Sequence, residues 1–164
     1  MKSAKMLFNL KNPIHFMALG LGSGLCPKIP GTAGTLMAIP FFLLLAQLPF
    51  WAYTLVVILA FLLGIKICGI ASKDAGVHDH GAIVWDEFVG YWVTMLPLVF
   101  YHLPITWQAI LFGFLFFRVF DMLKPFPISY LDKNISGGLG IMIDDVAAAI
   151  AAMICLRGYL IMFV

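Results

Sequence analysis

Between Val77 and Gly90 the chain reads VHDHGAIVWDEFVG. His78 and His80 flank Asp79, and Asp86 and Glu87 follow after a short apolar run. No other segment packs imidazole and carboxylate so closely, and this one leads straight into the apolar stretch Phe88 to Phe100. Two further segments carry matching chemistry. One holds Arg118, Asp121, Lys124, Asp144 and Asp145; the other is GLGSGLCPKIPGTAGT, with Lys28, Thr32 and Thr35. Carboxylates from separate segments repel one another unless a cation sits among them. Hard oxygen ligands of this kind suit magnesium, with water and a phosphate completing its shell. The chemistry to expect is metal-assisted attack of water, with a carboxylate or His80 taking the proton. Lys28, Arg118 and Lys124 would neutralise phosphate charge.

Each feature has a plainer reading. An acidic pair at a helix start complements the helix dipole. For one pair alone that reading is favoured; two pairs plus Asp121 in so uncharged a chain favour a metal site. Arg118 and Asp121, three apart on a helix, can simply pair. PGTAGT (30–35) opens an apolar helix and can offer backbone N–H groups to an anion. Its glycines also suit close helix packing. His78 and His80 diverge on a helix and suit a turn, either supporting the carboxylates or facing solvent. Several phosphatase chemistries are absent. No cysteine has an arginine at C-x-x-x-x-x-R spacing, and D-x-D, R-P and D-G-x-x-A-R do not occur.

The elements that must position these groups are apolar. Of 164 residues, 63% are hydrophobic and 11% charged, against about 25% charged in a soluble domain. The length suits one domain, residues 1–164. A net charge of +2 gives no case for nucleic acid. Cys26, Cys68 and Cys155 are widely spaced and read as free thiols. The lysine-containing N-terminus lacks a clean cleavage pattern and is not expected to be a removed signal peptide. Apolar stretches fall at about 13–25, 36–48, 51–71, 88–100, 109–117 and 146–164, with 51–71 closest to the ~20 residues a bilayer requires. The stretch 123–140 reads as a polar loop, and Asp144 and Asp145 as the opening of the last helix. With the basic N-terminus placed inside, the outer loops carry no charge, and Trp51, Tyr53, Tyr101 and Trp107 mark the outer boundary. Arg157 stands apart and must snorkel or find a partner helix. The fold class expected is all-α: a compact polytopic membrane bundle of about four to five membrane-associated helices, with its polar loops on the cytoplasmic face.

Four segments taken together, GLGSGLCPKIPGTAGT, DAGVHDHGAIVWDEFVG, FRVFDMLKPFPI and GGLGIMIDD, resemble the phosphatidylglycerophosphatase A family. The resemblance runs from about Asn12 into the last helix; Cys26 departs from it where a small residue such as Ser is expected. It implies a magnesium-dependent enzyme of the bacterial inner membrane, multi-pass, with its site on the cytoplasmic side. Such an enzyme removes the terminal phosphate of phosphatidylglycerophosphate to give phosphatidylglycerol. The candidates are then Asp79, His80, Asp86, Glu87 and Asp145 for catalysis. Lys28, Thr32, Thr35, Arg118 and Lys124 are candidates for the phosphate, and Asp86, Glu87, Asp121, Asp144 and Asp145 for Mg2+. The rival is a small ion or proton transporter using the carboxylates as a relay, which would place acidic groups at mid-membrane between broken helices.

Overall fold

The computed structural model describes residues 4–77 and 80–163, which form helices and turns and no strand. His78 and Asp79 lie outside the described residues. Two short helices, α1 (Ala4–Leu7) and α2 (Pro13–Ala18), lead into a tight 3-10 segment, Gly20–Leu25. Asn12 caps α2 by accepting the Ile14 N–H at 2.9 Å, with Pro13 in the first turn. The expected helix over 13–25 therefore stops at Ala18. Gly20, Leu21 and Gly22 all take positive φ, which ends helical progression.

Next come α3 (Pro30–Leu45), α4 (Phe50–Ala75), α5 (Trp85–Thr94) and α6 (Leu96–Phe100). They are followed by α7 (Trp107–Leu123), α8 (Ile128–Asn134) and α9 (Gly137–Phe163). PGTAGT is itself the opening of α3, because Pro30 is pre-set for the first helical turn. The apolar stretch 88–100 divides at Met95, just before Pro97.

The C-terminal half differs most from expectation. Residues 123–140 are not one polar loop: they contain α8 and the first turn of α9. Asp144 and Asp145 do not open the last helix but lie two turns inside it, since α9 begins at Gly137. Glycine is a poor helix former, yet here it permits contact. A Cβ on Gly138 would stand 1.9 Å from the Ile65 carbonyl oxygen. Close packing of α9 on α4 outweighs the propensity.

α9 lies at the centre, packed against α4, α5, α7 and α8. Phe42, Tyr53, Phe88, Tyr91, Phe117 and Met142 are fully buried around it. Indole and phenol groups lock the register. Trp85 Nε1 donates to the Ala60 carbonyl at 3.0 Å, Trp92 Nε1 to that of Ala38 at 3.1 Å, and the Tyr53 hydroxyl to that of Trp92 at 2.7 Å. These bonds tie α3, α4 and α5 together and fix where the start of α5 stands.

Among the described residues, two helices are long and apolar enough to cross a bilayer: Phe50–Ala75, with mean hydropathy 2.5, and Gly137–Phe163, with 2.1. α3 is apolar but shorter. Arg157 places its guanidinium 3.9 Å from the ring centre of Tyr101, so it finds a cation–π partner. All three cysteines are free thiols.

Candidate active site

The beginnings of α3 and α5, the end of α7 and the second turn of α9 meet around an open cleft of about 330 Å³. Its walls bring together Lys28, Thr32, Asp86, Glu87, Arg118, Asp121, Lys124, Asp144 and Asp145. Five carboxylates thus face three cations. A larger cavity of about 610 Å³ lies between α4 and the start of α9, but none of the described residues lining it carries a carboxylate. Charge rather than size marks the site.

Glu87 is buried in the first turn of α5 and joins three elements. Its Oε2 accepts the Thr35 hydroxyl of α3 at 2.7 Å and an Arg118 Nη1 hydrogen bond from α7. Arg118 Nη1 also donates to Asp121 Oδ2 at 2.7 Å, so the i,i+3 pair does form. Burial pushes the Glu87 carboxyl up to about 7; Asp121 adds to the rise, while Arg118 and Thr35 oppose it. Gly31 lets α3 come this close. A Cβ there would stand 2.1 Å from Glu87 Oε1 and 3.1 Å from an Arg118 nitrogen. Asp86 Oδ1 accepts the Glu87 backbone N–H at 3.0 Å, so this acid also behaves as a helix-start residue.

A second clamp closes the other side. Lys124 caps α7 in the left-handed conformation, φ 41°. Its Nζ lies 2.7 Å from Asp132 Oδ1 on α8 and 2.5 Å from Asp144 Oδ2 on α9. Burial works against the charge on Lys124, but its bonds to Asp132 and Asp144 outweigh this and hold its pKa above the ordinary lysine range. The Lys124 hydrogen bond lowers the pKa of Asp132 in turn.

Buried in the cleft, Arg118 Nε, a donor, and Asp145 Oδ2, an acceptor, have no hydrogen-bond partner among the described residues. Such orphans are costly. They match an anion and a cation respectively. Among the described residues no three carboxylate, imidazole or thiol groups are already arranged as a metal-ligand set. The reason is visible: Arg118 holds Glu87 and Asp121, and Lys124 holds Asp144.

The structure separates the sequence candidates. Asp86, Glu87, Asp121, Asp144, Asp145, Lys28, Thr32, Arg118 and Lys124 share the cleft, and Thr35 stands behind it on Glu87. His80 does not line it. It is buried, its Nδ1 accepts the Ala82 N–H at 3.1 Å, and its ring meets Phe8 edge-on. Sequence reading missed Asp132, which looked like a solvated loop acid and instead braces Lys124. Gly31 was visible only as part of the glycine-rich run.

The profile of the family described as "Phosphatidylglycerophosphatase A" matches residues 16–160. The Escherichia coli (strain K12) protein named phosphatidylglycerophosphatase A is 49% identical over 148 residues, covering 90% of this chain and 83% of its own length. The chain belongs to the phosphatidylglycerophosphatase A family. The Haemophilus influenzae protein of the same name is 47% identical over 150 residues, covering 89% of this chain and 88% of its own length. A Bacteroides thetaiotaomicron protein, provisionally named a phosphatidylinositol-3-phosphatase, is 35% identical over 140 residues, 82% of this chain and 86% of its own. No solved structure matches. Membership in the phosphatidylglycerophosphatase A family makes the chain a lipid phosphatase.

Proposed function

We propose that this lipid phosphatase hydrolyses the terminal phosphomonoester of phosphatidylglycerophosphate, releasing phosphatidylglycerol and phosphate, with Mg2+ in the cleft. The observation that carries the reading is the pair of orphaned buried atoms, Arg118 Nε and Asp145 Oδ2, in one cleft. The printed names of the two relatives at 49% and 47% identity supply the substrate.

The donor set fits a hard cation. Asp145, with Asp86 and Asp144 beside it on the cleft wall, would hold Mg2+, and Glu87 and Asp121 would complete the set on release from Arg118. When bound, such an ion polarises a phosphoryl group and acidifies water. Arg118 then turns its donors to the phosphate oxygens, with Lys28 and Lys124 adding positive charge. A water oxygen bonds to phosphorus, and the bond from phosphorus to the glycerol oxygen breaks. The departing oxygen leaves as the alcohol after taking a proton. A cleft carboxylate takes the water's proton; His80, outside the cleft lining, supports the loop.

The two long apolar helices support a membrane setting for this reading. α4 and α9 span, α3, α5–α6 and α7 associate with them, and the cleft faces the cytoplasm of a bacterial inner membrane. The transporter reading has no support: the acids gather at one end of the bundle.

The test is phosphate release from phosphatidylglycerophosphate by the full-length protein in detergent, with magnesium or with chelator. Release that stops with chelator and returns with magnesium is expected. Equal release in chelator would remove the metal from the mechanism, and no release in either would remove the substrate.

A further inference from the structure

The cleft has an apolar rim that phosphate chemistry does not use. Ile29 and Met122 line the same cleft as the carboxylates, yet they are 53% and 70% exposed. Each ends an exposed apolar stripe. On α7 the stripe is Leu111, Leu115, Val119 and Met122, at helical spacing. On α3, Leu36 and Leu43 follow Ile29 at intervals of seven. The two stripes converge where Gly31 approaches Arg118, since Met122 is one turn beyond Arg118 and Ile29 two residues before Gly31. On either side of Lys124, Leu123 and Phe126 are 74% and 83% exposed.

Ile29 and Met122 thus flank the open charged cleft at the ends of the two stripes, on the side where a lipid headgroup would reach it from the bilayer.

We propose that the gap between the first turn of α3 and the last turn of α7, rimmed by Ile29 and Met122, is the lateral entry and acyl-chain seat for the lipid substrate. The phosphate enters the charged cleft, while the diacylglycerol portion lies against Ile29 and Met122 and its chains follow the two stripes into the bilayer. This rests on the proposed lipid phosphomonoesterase activity.

Two measurements on the full-length protein test it. First, the Ile29→Ser/Met122→Ser double variant is compared with the parent on long-chain phosphatidylglycerophosphate and on its deacylated, water-soluble counterpart. Expected is a rise in KM of about tenfold for the long-chain lipid alone, with kcat/KM on the deacylated ester unchanged. An equal loss on both, or no change on the lipid, overturns the seat. Absence of phosphate release by the parent overturns the activity reading instead. Second, a phosphonate analogue with a diazirine on its acyl chain is photolysed in nanodiscs. Label displaced by excess unlabelled analogue should map to 29–37 and 115–123. Displaceable label confined to the face between α4 and α9 contradicts the proposal.

Discussion

The two acidic pairs of the cleft look alike in sequence and stand in opposite electrostatic settings. Asp86 and Glu87 occupy the first turn of α5, where unpaired backbone N–H groups favour negative charge, and Asp86 accepts one of them. Asp144 and Asp145 lie seven and eight residues beyond the first residue of α9, where the helix offers no such compensation. The first pair is partly explained by helix capping. Within the second pair Asp144 is held by Lys124, but Asp145 Oδ2 has no hydrogen-bond partner among the described residues, and burying that acid opposes folding unless a cation joins it. Acids placed against the needs of the fold are the ones to assign to chemistry.

The largest expected effect follows directly. Asp145→Asn should reduce turnover by on the order of a hundredfold or more, while thermal stability without metal holds or rises. If stability falls and turnover persists, Asp145 is structural and the contrast fails. Asp86→Asn sharpens it: the asparagine oxygen can still accept the Glu87 N–H, so a large loss of turnover there reports ligation.

Gly31→Ala comes next. By propensity alone alanine should stabilise α3 by about 1 kcal/mol. Its Cβ would instead meet Glu87 Oε1 at 2.1 Å, so the carboxylate must give way by about 1 Å, and a misplacement of that order costs about a hundredfold in rate. Wild-type rates in a more stable protein would show that Glu87 tolerates displacement.

Asp132→Asn should have a smaller effect, about tenfold or less, because Lys124 keeps Asp144 but loses its brace. A rise in KM that Asp132→Glu partly reverses marks positioning of Lys124. An unchanged KM would return Asp132 to the surface.

The pH dependence has a definite sign. Burial holds the Glu87 carboxyl at about 7 in the folded protein, against an ordinary value of 4.5. The folded protein therefore binds more protons across that window, and this group's contribution to metal-free stability falls as pH rises from about 4.5 to 7. Glu87→Gln should flatten the slope in thermal melts; an unaltered slope assigns it elsewhere. Smallest of all, Cys26→Ser should leave kcat unchanged, since Cys26 does not line the cleft.

What could be read from sequence divides along the same line. Asp86 and Glu87 were legible because an acidic pair before an apolar run is a local helix-start signal. Asp144 and Asp145 were singled out as site candidates but misplaced along the helix, because GGLG reads as loop unless one knows that Gly138 must accept the Ile65 backbone. The Lys124–Asp132 brace was illegible: it depends on a left-handed turn at a lysine and on α8 returning toward α9. His80 was a candidate from its neighbours alone; in the fold it is buried against the distant Phe8 and is not among the residues lining the cleft.

The central claim is that one cation reconciles the two pairs, and its most direct test is magnesium titration calorimetry on the full-length protein in detergent. The account predicts saturable binding to the parent protein that is lost in Asp145→Asn and retained in Cys26→Ser. Undiminished binding to Asp145→Asn, or no binding to the parent, would contradict it.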